Sequence, residues 1–247
     1  MKTALAMLLL LSALLLVTAP PAPAADPPLS REAVEQIVQD YLKAHPEVIV
    51  EALQGMQQRQ REAQRQQAQQ ALAAHREQLL RDASSPVGGN TRGDVTVVEF
   101  FDYACPHCKT VGASVRQLLR EDPKIRLVYK ELPVLGEASV TAARAALAAN
   151  AQGKYQPFHE ALMAAPGALS EAGVFEAAAK VGLDVARLKT DMAKPEVTAT
   201  IESNYKLAQA LGITGTPAFV IGDGLAPGAI PLARLKDMVA RARQARR

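Results

Sequence analysis

The spacing of apolar residues changes along the chain, and each change marks a different element. Val34, Ile37, Val38, Tyr41 and Leu42 recur at i, i+3, i+4, i+7 and i+8, the stripe of an amphipathic helix. Ser30 supplies an N-cap for it and Glu32 an acid in its first turn. His45-Pro46 breaks the helix, and Pro46 begins a second one with Ile49, Ala52, Leu53 and Met56 on one side. Residues 57–70 favour helix by propensity but hold nothing apolar larger than alanine, so they predict a solvent-bridging helix. Leu72, Leu79 and Leu80 restore apolar character before a turn-rich run at 84–90.

From Val95 the pattern becomes that of a buried strand. Val95 to Phe101 is β-branched and aromatic and is bounded by Gly93-Asp94. Val111, Val115, Leu118 and Leu119 then give a helical stripe to Arg120, and Ile125 to Leu132 reads as the next strand, a βαβ unit. Residues 139–211 are helical throughout, with Gly153, Gly182 and Gly212 where C′ glycines would end helices and Pro166 and Pro195 between them. Ile213 to Ile221 reads as strand, and a turn at 222–228 with a short strand at Ala229-Ile230 would complete a hairpin. Leu232, Leu235 and Val239 mark a last helix. The order βαβ, helical block, ββα predicts an α/β fold.

The beginning of the chain reads as an export signal. Lys2 precedes an apolar run from Ala4 to Val17, and Ala22-Pro23-Ala24 is an A-x-A cleavage pattern, so residues 1–25 are expected to be removed. The run is shorter than the ~20 residues of a membrane span. No later stretch could span a bilayer, so the mature chain is expected to be soluble and periplasmic. About 220 of the 247 residues then remain, one large domain with an appendage. The net charge of +3 gives no case for nucleic acid. Arg241, Arg243, Arg246 and Arg247 read as a helix C-terminus complementing its dipole, followed by a solvated tail. Residues 26–85 are expected to form a helical region with apolar patches at both ends. Those patches either rest on the chain's own catalytic domain or join copies into a dimer or trimer; self-association is the preferred reading.

Chemistry enters with the two cysteines, Cys105 and Cys108. A bridge between them closes too small a loop to staple anything, so the spacing suits switching. Cys105 falls between a strand and a helix, with Pro106 at N1, so its sulfur would face free backbone N–H groups at the positive end of the helix dipole. His107, when protonated, adds a nearby positive charge. Both effects favour thiolate, the attacking species, and Cys108 one turn further in can resolve a mixed disulfide. A zinc site lacks a second cysteine pair, since His45 and His75 lie in the appendage. Lys109 after Cys108 departs from the c-type haem motif. No metal and no cofactor is expected beyond the redox-active pair itself. A copper-binding protein using the dithiol as a soft ligand is the alternative of a different class.

The run Phe100-Phe101-Asp102-Tyr103-Ala104-Cys105-Pro106-His107-Cys108-Lys109 resembles the active site of DsbA-like thiol–disulfide oxidoreductases, and Gly215-Thr216-Pro217-Ala218-Phe219 resembles their cis-proline loop. The resemblance covers about 90–247, with 139–211 as the helical insertion, and implies a thioredoxin-like fold over residues 86–247. Residues 26–85 resemble the N-terminal region of oligomeric, isomerase-like members, ScsC-like proteins among them. The resemblance implies a cis Pro217 beside Cys105, with Thr216 offering its backbone to a client strand. It also makes Glu99 a buried acid of raised pKa that relays the Cys108 proton; on the residues alone Glu99 could equally be a strand-face acid paired with a lysine. His159 reads as packing or surface. The implied partners are exported clients and a membrane redox partner that resets the site. Pro106-His107 is the dipeptide of strongly oxidising members, whereas Thr216 and the N-terminal region resemble isomerases. The expectation is broad exchange leaning to isomerisation, with a monomeric, disulfide-donating oxidase as the alternative.

Overall fold

The computed structural model describes residues 30–245. The expected signal peptide at 1–25, residues 26–29 of the expected helical region, and Arg246 and Arg247 lie outside the described residues. The chain falls into two compact units that part between Gln58 and Arg59.

The first unit carries α1 (Arg31–Ala44) and the start of α2 (Glu47–Ala74). The Ser30 hydroxyl accepts from the Ala33 N–H at 3.2 Å, the cap expected from sequence. No residue of α1 is buried. Val34, Ile37, Val38, Tyr41, Ile49, Val50, Leu53 and Met56 are all exposed, so the predicted stripe exists and none of these side chains is buried among the described residues.

In the second unit a five-stranded mixed sheet runs β1-β3-β2-β4-β5, formed by β1 (Val87–Gly89), β2 (Val95–Phe101), β3 (Ile125–Glu131), β4 (Ala218–Ile221) and β5 (Gly224–Pro227). β2 and β3 are parallel, joined by α4 (Pro106–Glu121), and β4 pairs antiparallel with β2. Strand alternation divides the central residues between two cores. Val97, Phe101, Leu127 and Tyr129 face α4, the insertion and α10 (Leu232–Gln244). Val98, Phe100 and Val128 face the opposite layer. Both faces are covered, which is why β2 and β3 read as nearly unbroken apolar runs.

The insertion consists of α5 (Glu137–Asn150), α6 (Tyr155–Ala164), α7 (Glu171–Lys180), α8 (Val185–Met192) and α9 (Pro195–Ala210). α5 packs against the other four, and Ala142, Ala143, Ala145, Ala146, Ala148 and Ala149 are all buried. Alanine's small side chain lets helix axes approach closely. Gly182 and Gly212 end α7 and α9 at φ 74° and 68°, and the following N–H groups of Leu183 and Ile213 close on Ala178 and Ala208.

Several expectations move. β4 begins at Ala218, not Ile213, because the Ile213 N–H closes the end of α9. The second hairpin strand is Gly224–Pro227 rather than Ala229-Ile230. Ile221 pairs with Gly224 across a turn of only Gly222 and Asp223, which brings the return strand forward. β1 occupies part of the run read as turn. Arg241 and Arg243 do lie in the last turn of α10, as expected, and Arg243 also bridges Asp94 at 2.7 Å and Asp122 at 2.9 Å, fastening α10 to both.

The two apolar ends of the expected N-terminal region behave differently. Leu72 of α2 and Leu79 of α3 (Arg76–Leu80) are buried in the core formed by Val98, Phe100 and Val128. Here the chain's own sheet is the partner. The segment is fastened by Lys130, which is wholly buried and donates to Asp82 Oδ2 at 2.7 Å and to the Gln78 carbonyl at 2.9 Å. Burial would push Asp82 up, but hydrogen bonds from Lys130 and Ser84 and the Lys130 charge outweigh it and hold the carboxyl at about 2. The Lys130 ammonium is itself shifted down by burial and recovered in part by Asp82, and with two acceptors in place the ionised pair is the state that fits the geometry. The depressed Asp82 pKa means that its contribution is present above the ordinary carboxylate range and is lost as pH falls toward 2. Lys130→Met should destabilise the fold by about 3 kcal/mol in urea unfolding at pH 7. The loss should shrink as pH falls from about 4 toward 2, where the wild type surrenders the pair as well.

Candidate functional site

β2 ends at Phe101 in the middle of the sheet, and α4 begins at Pro106, after four intervening residues. Cys105 is the N-cap of α4 and Pro106 its first residue, so the lost proline N–H costs the helix nothing. Because β4 lies beside β2 with Ala218 opposite Phe100, the loop entering β4 reaches the same end of the sheet. Its Thr216-Pro217 peptide is cis, as the resemblance implies. The Cys105 thiol donates to the Thr216 carbonyl at 3.3 Å, across 111 residues of sequence.

Cys105 is 4% exposed and Cys108 wholly buried, and both are free thiols. Burial is the main force pushing the Cys108 thiol up, reinforced by Cys105 and opposed by the Asp102 backbone N–H and Thr216. Pro106 and His107 are exposed above the pair, Thr216 is half-buried and Pro217 buried. Six of the seven residues singled out from sequence thus meet at one end of β2 and β4.

Glu99 is the seventh, and it points elsewhere. It shares a strand face with Val97 and Phe101 and opens into a cavity of about 360 Å³ between α4, α6 and the sheet, whose lining includes neither cysteine. Gly112, Arg116, Tyr129 and His159 also line it. Burial raises Glu99 to about 8. It is not paired with a lysine: the neighbouring Lys130 sits on the other face of β3 with Asp82.

A buried polar group beneath the site was not singled out from sequence. Glu131 Oε1 accepts from the Tyr103 and Tyr155 hydroxyls at 3.0 and 2.7 Å, and the Tyr103 hydroxyl also meets His159 Nδ1 at 3.1 Å. Burial raises Glu131 well above the carboxylate range and lowers His159 to about 3, so the acid keeps its proton and the imidazole stays neutral. His159 therefore packs, edge-on to Phe101 and against Tyr129, as the sequence reading had it. The signal that could have found Glu131 is an acid in a strand otherwise buried on both faces, the same pattern as Glu99. Among the described residues no three His, Cys, Asp or Glu side chains are arranged to hold a metal ion, and no helix is long and apolar enough to cross a membrane.

Since the folded-state pKa of Glu99 lies above its ordinary 4.5, its proton stabilises the fold at low pH and that stabilisation is lost as pH rises from about 4.5 through 8. Glu99→Gln removes this loss. Wild-type stability should fall relative to the variant by up to about 1.4 kcal/mol per pH unit across that window. Parallel stability curves from pH 5 to 8 would show Glu99 already ionised.

Residues 96–240 match the DSBA-like thioredoxin domain family and residues 31–63 the Copper resistance protein ScsC N-terminal domain. Among solved structures, a thioredoxin-like oxidoreductase from Silicibacter pomeroyi is 54% identical, with TM-score 0.68 over 68% of this chain and 98% of that one. Proteus mirabilis ScsC in a transitional conformation is 30% identical, with TM-score 0.66 over 87% of this chain and 97% of its own. The thiol:disulfide interchange protein DsbA of Bordetella pertussis is 27% identical over 158 residues, 62% of this chain and 75% of that protein. The chain spans only 21% of the length of the first curated relatives it matches, Na(+)/H(+) antiporters of the NhaA type. With the sheet order, the Cys-Pro-His-Cys helix start and the cis-proline loop in place, the match across 96–240 settles the family: the chain belongs to the DSBA-like thioredoxin domain family.

Proposed function

We propose that this protein is a periplasmic thiol–disulfide oxidoreductase that exchanges disulfides in exported proteins through Cys105 and Cys108, with isomerisation as its main direction. The observation that carries the reading is the 3.3 Å contact between the Cys105 sulfur, at the start of α4, and the Thr216 carbonyl. A sulfur at a helix N-terminus faces unsatisfied N–H groups and the positive end of the dipole, which favour the thiolate. His107 stands exposed beside it in the first turn of α4 and adds positive charge when protonated. The Thr216 backbone, next to Pro217 with no N–H, can pair with an extended client strand and lay a client disulfide over Cys105.

In isomerisation the Cys105 thiolate attacks one sulfur of a wrong client disulfide, forming a mixed disulfide and freeing the other client sulfur as thiolate. That thiolate attacks a different client disulfide, forming a new pair and freeing a further client thiolate, which attacks the client sulfur of the mixed disulfide and expels Cys105 as thiolate. No net electrons move. Where the client stalls, Cys108 attacks the Cys105 sulfur and releases it as a dithiol, leaving a Cys105–Cys108 disulfide for a membrane redox partner to reset. Glu99, raised to about 8 by burial, is proposed to take up the proton that Cys108 gives up before attack, although its cavity is lined by neither cysteine.

The lean toward isomerisation rests on the exposed apolar stripe of α1 and early α2, within the match to the ScsC N-terminal domain. Such a face is stable in water only against a partner, and a second copy offers the same face. Residues 34–56 are proposed to join copies of the chain around a client. The oxidase alternative keeps the same chemistry without this assembly.

Cys105→Ser should abolish refolding of both reduced and scrambled ribonuclease, whereas Cys108→Ser should accumulate mixed disulfides visible on non-reducing gels. Full turnover by Cys105→Ser would end the reading. A chain beginning at Arg59 keeps Leu72, Leu79 and the Lys130–Asp82 pair. It should fold, sediment as a monomer, and lose shuffling while retaining dithiol oxidation. A full-length protein that itself sediments as a monomer removes the ground for isomerase.

A further inference from the structure

Asp102 lies between β2 and the Cys105 loop, is 1% exposed, and its carboxylate accepts four hydrogen bonds. Oδ1 takes the Ala104 N–H at 2.7 Å and the Ser139 hydroxyl at 2.8 Å. Oδ2 takes the N–H groups of Val134 at 2.8 Å and Leu135 at 3.0 Å. The main chain of the same residue holds the cysteine loop as well: its carbonyl accepts the Cys105 N–H at 3.1 Å. One side chain therefore ties the cysteine loop to the 133–135 turn and to the first turn of α5.

All four donors are neutral, and hydrogen bonds to an ionised acceptor are roughly twice as strong as neutral ones. Each oxygen faces two donors. An amide of the same shape would turn its N–H₂ either toward the Val134 and Leu135 N–H groups, two donor–donor contacts, or toward Ala104 and Ser139, where the hydroxyl can turn to accept but the Ala104 N–H loses its acceptor. The arrangement thus asks for a carboxylate. What it holds in place is unusual for a fixed turn, since Val134 and Leu135 are 45% and 53% exposed although apolar.

We propose that Asp102 is a positioning residue that fixes Val134 and Leu135 on the turn it ties to the cysteine loop, where they contact an extended apolar stretch of an unfolded client. The proposal rests on the exchange reading above. An unfolded polypeptide exposes apolar side chains, and a rigid apolar pair tied through Asp102 to the cysteine loop binds them with little ordering cost on the enzyme side. The Thr216 backbone offers the client's main chain a partner, and the 133–135 turn offers its side chains one.

The test uses the full chain with reduced, unfolded ribonuclease A as client and dithiothreitol as a dithiol without side chains, with glutathione disulfide supplied to reoxidise the Cys105–Cys108 pair and its direct reaction subtracted. Asp102→Asn should raise KM for the ribonuclease about tenfold, while kcat changes by about twofold or less. Amide exchange of Val134 and Leu135 should quicken in the same variant. Ser139→Ala, which removes one of the four bonds, should raise KM about threefold. Val134→Ser with Leu135→Ser should raise it as far as Asp102→Asn does, with the two amides as protected as in the wild type. An unchanged KM in folded Asp102→Asn, or in the serine pair, overturns the proposal. Should Asp102→Asn not fold, Ser139→Ala and the serine pair decide it by the same measure. A wild type inert toward dithiothreitol sinks the exchange reading itself. A wild type that oxidises dithiothreitol while client KM ignores every variant sinks only the role of Asp102.

Discussion

Antiparallel pairing of β2 with β4 is the constraint on which the site depends. The register that sets Phe100 opposite Ala218 brings the end of one strand and the loop before the other to a single point. A slip of one residue would exchange every inward and outward side chain on a strand buried on both sides. Glu99 would leave its cavity, Val98 and Phe100 would leave the Leu72 and Leu79 layer, and the Cys105 sulfur would lose the Thr216 carbonyl. The reactive pair is therefore not a property of a short motif alone. It belongs to a sheet whose two central strands cannot slide.

The interior accommodates ionisable groups in four different ways. Lys130 stays charged because Asp82 and a carbonyl meet its ammonium group. Glu131 stays neutral and gives its oxygen to two tyrosines. Glu99 stays neutral facing a cavity that gives it room for solvent. Asp102 is surrounded by four neutral donors and no cation. Three of these groups lie on β2 or β3, and the fourth, Asp102, directly follows β2. Most of the polar cost of burying them is met locally, the exception being Glu131 Oε2, which has no hydrogen-bond partner among the described residues.

Most of the architecture was legible in sequence because it is written in local periods. The α4 stripe, the β2 and β3 runs, the helical insertion and the cap at Ser30 were each a matter of spacing and of a few turn residues. The site was legible because Cys105, Pro106, His107 and Cys108 are contiguous and Pro217 sits before a strand. What could not be read depended on contacts far apart in the chain. The start of β4 was set by a hydrogen bond back to Ala208, and the fate of Leu72 and Leu79 by the underside of the sheet. Glu131 and Asp102 were passed over because a lone acid beside apolar residues carries no spacing signal, and their partners lie 24 to 37 residues away.

The alanine-filled centre of α5 has a consequence for how the insertion tolerates change. An alanine has no rotamer to lose on burial, so gathering four helices around α5 freezes little side-chain freedom there. The same economy leaves no slack. Any larger residue on that helix must push whole backbones apart, because no neighbouring side chain on α5 can swing aside to make room. The helical insertion is thus cheap to assemble and brittle to enlarge, and variation in it is confined to its outward faces and connecting turns.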